Sequence, residues 1–273
     1  PINTKIFNFY RALGINLKPL YLQAESSGYV CLQSANDVNS DSVGHPASDV
    51  ELRINDKEEI EYRTTSIFSG YFKDKTATTS VLSKDGWFKS GDTGEFLENG
   101  SLKLIGRVDE VGTTTIGTKV HPQYIENQLR LCTFIRNAVV FGVGKPFVSA
   151  LITVDSEKLG NYLEKAEIAI PADEEITQQD LVGKILEDEI NTINAFFSND
   201  PGNPGLKIEK FIIIAGQFSS ATGEFTQMGK LRRGFLTEKY KKLIDAIYAG
   251  KEKVDAKSAA KFGLKTAIKV RKL

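Results

Sequence analysis

Residues 85–127, DGWFKSGDTGEFLENGSLKLIGRVDEVGTTTIGTKVHPQYIEN, contain more information about the fold than any other stretch of the chain. Asp92 directly follows a glycine, where a tight bend can present its carboxylate to a hydroxylated ligand. Residues 98–100, ENG, predict a hairpin turn between two short strands. Residues 112–117 consist mainly of glycine and threonine. Such a run cannot pack a core and predicts a mobile joint or a ligand-facing loop.

The motifs of this stretch follow one another in a defined order. Residues 87–92 read WFKSGD, residues 106–110 read GRVDE after the hairpin, and Pro122 and residues 125–127 follow the glycine-threonine loop. This order resembles the AMP-forming acyl-CoA synthetases, most closely the long-chain fatty acid branch. In that family ATP activates a carboxylate to an acyl-adenylate, the small C-terminal domain then rotates, and a thioester with coenzyme A is formed. The resemblance implies ATP/AMP and coenzyme A as cofactors and a fatty acid as the small-molecule substrate.

Four residues of the stretch receive roles from the resemblance. Asp92 would hold the ribose hydroxyls of the nucleotide, and Arg107 would support Asp92. Asp109 would be the hinge about which the C-terminal domain turns, and Gly117 is placed among the cofactor-binding residues. Taken singly, Asp92 is better explained as a turn-forming acid and Arg107 as part of a surface ion pair, but the motifs together in this order favour function.

Residues 21–25, YLQAE, lie further towards the N-terminus in a predicted strand that runs into a polar loop. The family has a tyrosine, a glycine, a variable residue, a threonine and a glutamate at this position. By resemblance Tyr21 would stack on adenine, and Glu25 would bind the Mg²⁺ that accompanies the ATP phosphates, because a hard cation needs oxygen ligands. Leu22 and Ala24 replace the usual glycine and threonine, which keeps a non-catalytic relative open as an alternative.

Residues 222–233, TGEFTQMGKLRR, resemble the C-terminal lysine motif of the family. Lys230 corresponds to the lysine that binds the attacking carboxylate and the α-phosphate during adenylation, where a flexible ammonium suits the concentrated negative charge. Gln227 stands where a proline is usual. The alternative for Lys230 is a solvated basic helix start.

The pattern of the chain predicts an α/β protein in two parts. Residues 1–106 would be the end of the large AMP-binding domain, with the short strands of a small β-barrel. Residues 107–273 would be the mobile C-terminal domain, an α+β module with helices on one side of a small mixed sheet. Within that domain Ser156 is expected to cap one helix, and Thr177 with Asp180 to form the capping box of a longer one.

Composition limits the classes of function. The 273 residues are 41% hydrophobic and 26% charged, with a formal net charge of zero, which is typical of a globular protein and argues against nucleic acid as a main partner. Cys31 and Cys132 match no metal spacing, and we expect a reduced, cytoplasmic environment. His45 and His121 are each expected to be structural. No run of eighteen apolar residues occurs.

The phosphate loop that opens the ATP site in this family does not occur in the sequence. The chain is therefore expected to be the C-terminal portion of a longer enzyme and inactive alone, with the upstream large domain of the same protein as its partner. Two rival functions remain: adenylation of another acid or for another acceptor, and non-catalytic binding of an acyl group or nucleotide.

Residues 251–273 form a basic tail with eight basic and two acidic side chains. Lys253, Lys257, Lys261, Lys265 and Lys269 recur every four residues, which predicts a helix with a broad basic face. One interpretation is a peripheral membrane contact that brings the enzyme to fatty acids in the bilayer. The other is a solvated helix that packs weakly on its own domain.

Overall fold

The computed structural model describes residues 4–168, 178–199, 205–262 and 267–273. The chain divides into two compact units, Pro1–Val111 and Gly112–Leu273. The sequence placed this boundary at residue 106, but the last strand of the first unit continues through Arg107, where it pairs with Asp92. The boundary therefore falls five residues later than the motifs suggest.

The first unit contains two helices and seven strands within the described residues. They are α1 (Thr4–Ala12), β1 (Leu20–Gln23), β2 (Gly28–Leu32), β3 (His45–Pro46), β4 (Val50–Ile54), β5 (Glu59–Thr64), α2 (Lys75–Val81), β6 (Phe88–Phe96) and β7 (Leu102–Arg107). One sheet has the order β1-β2-β3 and the other β4-β5-β6-β7.

Both sheets of the first unit contribute to a single core. Tyr21 and Val30 come from the first sheet, and Ile60, Tyr62 and Phe88 from the second or its edge. The predicted turn at residues 98–100 is confirmed, because Phe96 pairs with Leu102 across it and Gly100 has φ +79°. A glycine favours that left-handed conformation because it has no Cβ.

Trp87 lies just before β6 on the surface of the four-stranded sheet. The guanidinium of Arg53 lies 4.0 Å from its ring centroid and that of Arg63 lies 5.1 Å away. Each arginine also forms an ion pair with a neighbouring strand residue, Arg53 with Glu61 and Arg63 with Glu51. Cation–π contacts of this kind hold the indole between two cross-strand ion pairs.

The second unit is built on a five-stranded mixed sheet. Its elements are β8 (Gly112–Thr113), β9 (Lys119–Val120), α3 (Pro122–Leu129), β10 (Ile135–Phe141), β11 (Val148–Val154), α4 (Ser156–Lys165), α5 (Asp180–Ser198), β12 (Ile208–Ile214), α6 (Arg233–Lys239), α7 (Lys241–Tyr248), β13 (Lys253–Val254), α8 (Ala256–Ala259) and β14 (Ile268–Lys272). The order of the main sheet is β10-β11-β12-β14-β13. The pair β11–β12 is parallel, and the other pairs are antiparallel.

Helices cover both faces of this sheet, so the prediction of helices on one side is wrong. Leu129 of α3, Leu159 of α4 and Leu186 of α5 belong to one core. Leu236 of α6 and Leu243 of α7 belong to the other. Every residue of β11 is buried, as expected for a central strand covered on both faces.

The predicted helix starts need correction. Asp155, not Ser156, is the N-cap of α4, and its carboxylate accepts a hydrogen bond from the Lys158 amide at 3.3 Å. Thr177 lies outside the described residues, so its capping box with Asp180 stays a prediction. Asp180 is the first residue of α5.

The prediction of a continuous helix over residues 251–273 is wrong. This segment contains β13, the short helix α8 and β14 in its described residues. Ile268 is fully buried and Arg271 is 8% exposed, because β14 pairs with β12 on one side and β13 on the other. The lysine spacing resembled a helix, but the alternation of apolar and charged residues from Ile268 to Lys272 has the period of a strand.

Among the described residues, no helix is long and apolar enough to cross a membrane. The membrane contact of residues 251–273 stays a prediction, although these residues do not form the continuous helix that suggested it.

Candidate functional site

Asp92 lies in β6 opposite Arg107 of β7, and this register brings the two charges together. Arg107 Nη1 donates to Asp92 Oδ1 at 3.1 Å. Two side chains from β1 reach the other oxygen, because Tyr21 OH donates to Oδ2 at 2.7 Å and Gln23 Nε2 at 2.8 Å. Residues two apart on a strand share a face, which explains why Tyr21 and Gln23 both reach this carboxylate.

Gln23 is itself held in place. Its Nε2 also donates to the Ser90 carbonyl at 3.0 Å, and its Oε1 accepts from Tyr62 OH at 3.0 Å. The Asp92 amide donates to Ser90 Oγ at 3.1 Å. Side chains from three strands therefore fix the position of Asp92 before any ligand binds.

Gly91 allows Arg107 to approach. Gly91 has φ +69°, and a Cβ at this position would lie 2.7 Å from Arg107 Nη2. Its amide donates to Glu59 Oε1 at 3.0 Å. A residue with a Cβ would be strained here and would displace the guanidinium that holds Asp92.

The hydrogen-bonding capacity of Asp92 leaves room for a ligand hydroxyl. A carboxylate has about four lone-pair sites, and Tyr21, Gln23 and Arg107 occupy two on Oδ2 and one on Oδ1. The side chain is 19% exposed. The residues present thus fit one ribose hydroxyl at Oδ1.

Tyr21 contributes to this site through its hydroxyl. Its side chain is 5% exposed and belongs to the core of the first unit. Burial, followed by the Asp92 carboxylate, raises the pKa of the Tyr21 hydroxyl, so it remains a proton donor. The stacking of its ring on adenine stays a prediction.

Glu25 lies in a 3₁₀ turn, Ala24–Ser26, directly after β1. Tyr71 OH donates to Glu25 Oε1 at 2.8 Å, and the Phe68 amide donates to the Glu25 carbonyl at 2.8 Å. The contact with Glu25, together with burial, raises the pKa of the Tyr71 hydroxyl. Glu25 is half-buried, so the turn holds its carboxylate in a defined place.

The described residues contain no group of three or more metal-ligating side chains. A single carboxylate such as Glu25 fits Mg²⁺ that is bound mainly by phosphates and water, because this ion keeps several waters and takes few protein ligands. The donor chemistry of Glu25 is therefore suitable, and the phosphates would complete the coordination.

Lys230 belongs to the second unit and follows a closed turn. The Thr226 amide donates to the Lys230 carbonyl at 2.8 Å, the Lys230 amide donates to Thr226 Oγ1 at 3.1 Å, and Phe225 forms a bridge with Leu231. Gly229 has φ +73°, which closes the turn. The Lys230 side chain is exposed and forms no hydrogen bond or ion pair with the described residues, so its ammonium is available to a ligand.

Glu224 anchors the start of this turn from a buried position, since its side chain is 3% exposed. Its carboxylate accepts hydrogen bonds from Thr222 Oγ1 and Lys239 Nζ, and from Tyr240 OH at 3.3 Å. Its carbonyl accepts from the Arg232 amide at 2.8 Å. The turn that presents Lys230 is thus joined to α6 through one acid.

Gly117 and Asp109 lie on either side of the boundary between the units. Gly117, with φ +89°, is exposed at the tip of the β8–β9 hairpin, where its amide donates to the Thr114 carbonyl at 3.0 Å. The run predicted to be a loop therefore contains a short hairpin. Asp109 is 77% exposed and lies 3.5 Å from Arg107 Nε in the first unit.

Asp92, Arg107, Tyr21 and Glu25 belong to the first unit, where the structure joins the first three. Lys230 and Gly117 belong to the second. Sequence reasoning missed Gln23, which it treated as a variable position. The alternation of β1 contained the signal, because Gln23 shares a face with Tyr21.

Comparison with known proteins identifies the family to which the chain belongs. Residues 109–252 match the model of the AMP-binding enzyme C-terminal domain. Long-chain-fatty-acid–CoA ligase FadD15 of Mycobacterium bovis is 35% identical over 250 residues, 91% of this chain and 40% of that protein. Long-chain-fatty-acid–CoA ligase ACSBG2 of Homo sapiens is 30% identical over 270 residues, 91% of this chain and 40% of that protein. The chain spans about 40% of the length of these curated relatives.

Solved structures share the fold. The adenylation domain of a carboxylate reductase from Mycobacterium chelonae superposes with a TM-score of 0.68 at 20% identity, covering 91% of this chain and 37% of that one. O-succinylbenzoate coenzyme A synthetase from Bacillus subtilis, solved with AMP, gives a TM-score of 0.61 at 17% identity, covering 86% and 44%. These likenesses show the fold, and the matched domain, which covers more than half of the chain, shows that the chain belongs to the family of AMP-binding enzymes.

Proposed function

We propose that the chain is the C-terminal portion of a long-chain fatty acid–CoA ligase, which activates a fatty acid with ATP to acyl-AMP and transfers the acyl group to coenzyme A. The observation that supports it most is the Asp92 carboxylate, fixed by three donors with one lone-pair site left for a ligand hydroxyl. The relatives named as long-chain ligases supply the substrate class.

In the first half-reaction, Asp92 orients the nucleotide through its ribose. Arg107 holds Asp92 in place, and Tyr21 and Gln23 prevent its rotation. Glu25 would hold Mg²⁺, which supplies charge neutralisation at the phosphates when bound. These residues orient and bind, and none of them transfers a proton.

Lys230 acts at the reacting atoms. A carboxylate oxygen of the fatty acid attacks the α-phosphorus, and pyrophosphate leaves with the electron pair of the broken P–O bond. Negative charge grows on the oxygens around the phosphorus, where an ammonium stabilises it. The exposed Lys230 ammonium at the end of its closed turn suits this position.

In the second half-reaction, the C-terminal domain would turn about Asp109, and Gly117 would be among the residues that bind the cofactor. The thiolate of coenzyme A attacks the acyl carbonyl, and AMP leaves as the acyl–oxygen bond breaks. Asp109 is suited to a hinge because it is exposed and lies two residues before the end of the first unit. This portion would be inactive alone, and the complete enzyme would act in the cytoplasm.

A lysine substitution tests the proposal. In the complete protein, Lys230→Ala should slow adenylation by roughly two to three orders of magnitude, the loss expected for one charge partner of the transition state. Thioester formation from pre-made acyl-adenylate should remain mostly intact. Pyrophosphate exchange measures the first step, and single-turnover transfer to coenzyme A measures the second.

Met228→Ala is the matched control, because Met228 is 87% exposed on the same turn. It should leave both steps unchanged. An equal loss of both steps in Lys230→Ala would mean that the lysine is structural. Pyrophosphate exchange with a panel of acids, followed by trapping with other acceptors, distinguishes the rival adenylating enzyme. A complete absence of exchange would favour the non-catalytic binder suggested by Leu22 and Ala24.

A further inference from the structure

Glu126 and Arg233 form a buried ion pair in the second unit. Arg233 Nη1 donates to Glu126 Oε1 at 2.7 Å, and Nη2 donates to Oε2 at 3.0 Å. The Glu126 side chain is 2% exposed and that of Arg233 is 20% exposed. Two parallel hydrogen bonds to one carboxylate fix both the distance and the orientation of a guanidinium.

The same pair is bonded to the central sheet. The Val140 amide of β10 donates to Glu126 Oε1 at 2.8 Å, and the Val140 carbonyl accepts from Arg233 Nη1 at 3.2 Å. Glu126 lies in α3 and Arg233 is the first residue of α6. The backbone of one residue of β10, Val140, therefore joins two helices through two charged side chains.

The position of the pair along the chain connects two functional segments. Arg233 comes three residues after Lys230. Glu126 lies in α3, which begins at Pro122 shortly after the β8–β9 hairpin that carries Gly117. The pair thus links the helix that follows the hairpin to the helix that follows the lysine turn.

We propose that Glu126 and Arg233 are positioning residues that set where the Lys230 ammonium stands during adenylation. This inference rests on the proposed function. Lys230 itself is held only through the backbone of its turn, so the fixed start of α6 determines where that turn ends. A buried charge that loses its partner must move or recruit water, and movement of Arg233 would shift the attached turn.

Half-reaction kinetics in the complete protein test this role. Arg233→Gln and Glu126→Gln should each slow pyrophosphate exchange at least tenfold, while transfer from pre-made acyl-adenylate to coenzyme A falls less than threefold. The double variant should be no slower than the slower single variant, because each substitution breaks the same pair. Glu126→Gln keeps the shape of the side chain, so this variant still tests the positioning role if Arg233→Gln does not fold.

Arg271→Gln is the matched control. Arg271 is another buried arginine of the second unit, which donates to the Gln179 carbonyl at 2.9 Å and lies 3.8 Å from Glu187. This variant should lower the unfolding temperature and leave the ratio of the two half-reaction rates unchanged.

An equal loss in both half-reactions, no loss in either, or failure of both pair variants to fold would overturn the inference. Lys230→Ala, measured in parallel, separates this outcome from failure of the proposed function. If Lys230→Ala loses adenylation selectively and the pair variants do not, only the positioning role is wrong. If Lys230→Ala shows no selective loss, the assignment of the lysine is wrong.

Discussion

Glu224 is a carboxylate whose environment makes stability depend on pH. Burial by itself would raise its pKa, but the Lys239 ammonium and the Thr222 hydroxyl outweigh this effect, and the pKa of Glu224 is lowered to about 2. The unfolded value is near 4.5. The ionised form is therefore favoured in the folded state, which binds fewer protons than the unfolded chain in this interval.

The pH dependence of stability should reveal this acid. The ionised Glu224 carboxylate contributes about 2–3 kcal/mol to the free energy of unfolding above pH 4.5, and this contribution is lost as the pH falls towards 2. Glu224→Gln should remove this dependence, so the stability difference from wild type shrinks on acidification. Urea unfolding of both proteins between pH 7 and pH 3 measures it.

Glu238→Gln provides the comparison for this acid, because Glu238 is exposed on α6. That change should alter stability by less than about 0.5 kcal/mol at neutral pH. A difference between wild type and Glu224→Gln that stays constant over the whole pH range would contradict the role of the ionised carboxylate.

Single residues of the site were predictable to different extents. The motif order identified Asp92 and Arg107, and the β6–β7 register explains why they meet. The burial of Tyr21 was not predictable, because it depends on a core formed with the second sheet, distant in sequence. The ion pairs of Glu126 with Arg233 and of Glu224 with Lys239 were not predictable, since the partners lie 107 and 15 residues apart in the sequence.

At the scale of secondary structure, β14 shows why local periodicity misled. Lysines every four residues suggested a helix, yet the sheet has a place for an antiparallel strand between β12 and β13. Val270 pairs with Ile212, and Ile268 pairs with Val254. Burial of these side chains outweighs the helical tendency of the segment, because tertiary packing overrides weak propensity. The turn at residues 98–100 was predicted correctly, because its Asn-Gly dipeptide is a local hairpin signal that needs no distant partner.

A substitution in β14 tests how firmly the tail belongs to the domain. Ile268→Ala should destabilise the protein by about 2–4 kcal/mol, because Ile268 is completely buried in the core. Lys272→Ala, on the same strand but exposed, should change the stability by less than about 0.5 kcal/mol. Urea unfolding followed by circular dichroism measures both. Equal stabilities would mean that the tail detaches from the sheet.

At the scale of the whole molecule, the hinge proposed at Asp109 would determine which of the two half-reactions the complete enzyme can carry out. The division at Val111 and Gly112 comes shortly after Asp109, whose side chain contacts only Arg107 among the ion pairs of the described residues. A hinge needs backbone freedom at a few positions, and a proline removes that freedom by fixing φ.

Asp109→Pro should therefore restrict the turning of the second unit. In the complete protein, one half-reaction should slow at least tenfold more than the other, as measured by pyrophosphate exchange and single-turnover thioester formation. Asp109→Ala removes the same carboxylate without fixing φ and should leave the ratio of the two rates as in wild type. Identical ratios in the proline and alanine variants would exclude a hinge at this residue.

Trp87 gives the two units different spectroscopic signals. It is the one tryptophan of the sequence, and it lies in the first unit between Arg53 and Arg63. Indole fluorescence therefore reports on the four-stranded sheet of that unit, whereas most helical ellipticity arises from the second unit. Because the two signals come from different parts of the chain, a single denaturation experiment resolves whether the two units unfold together or one after the other.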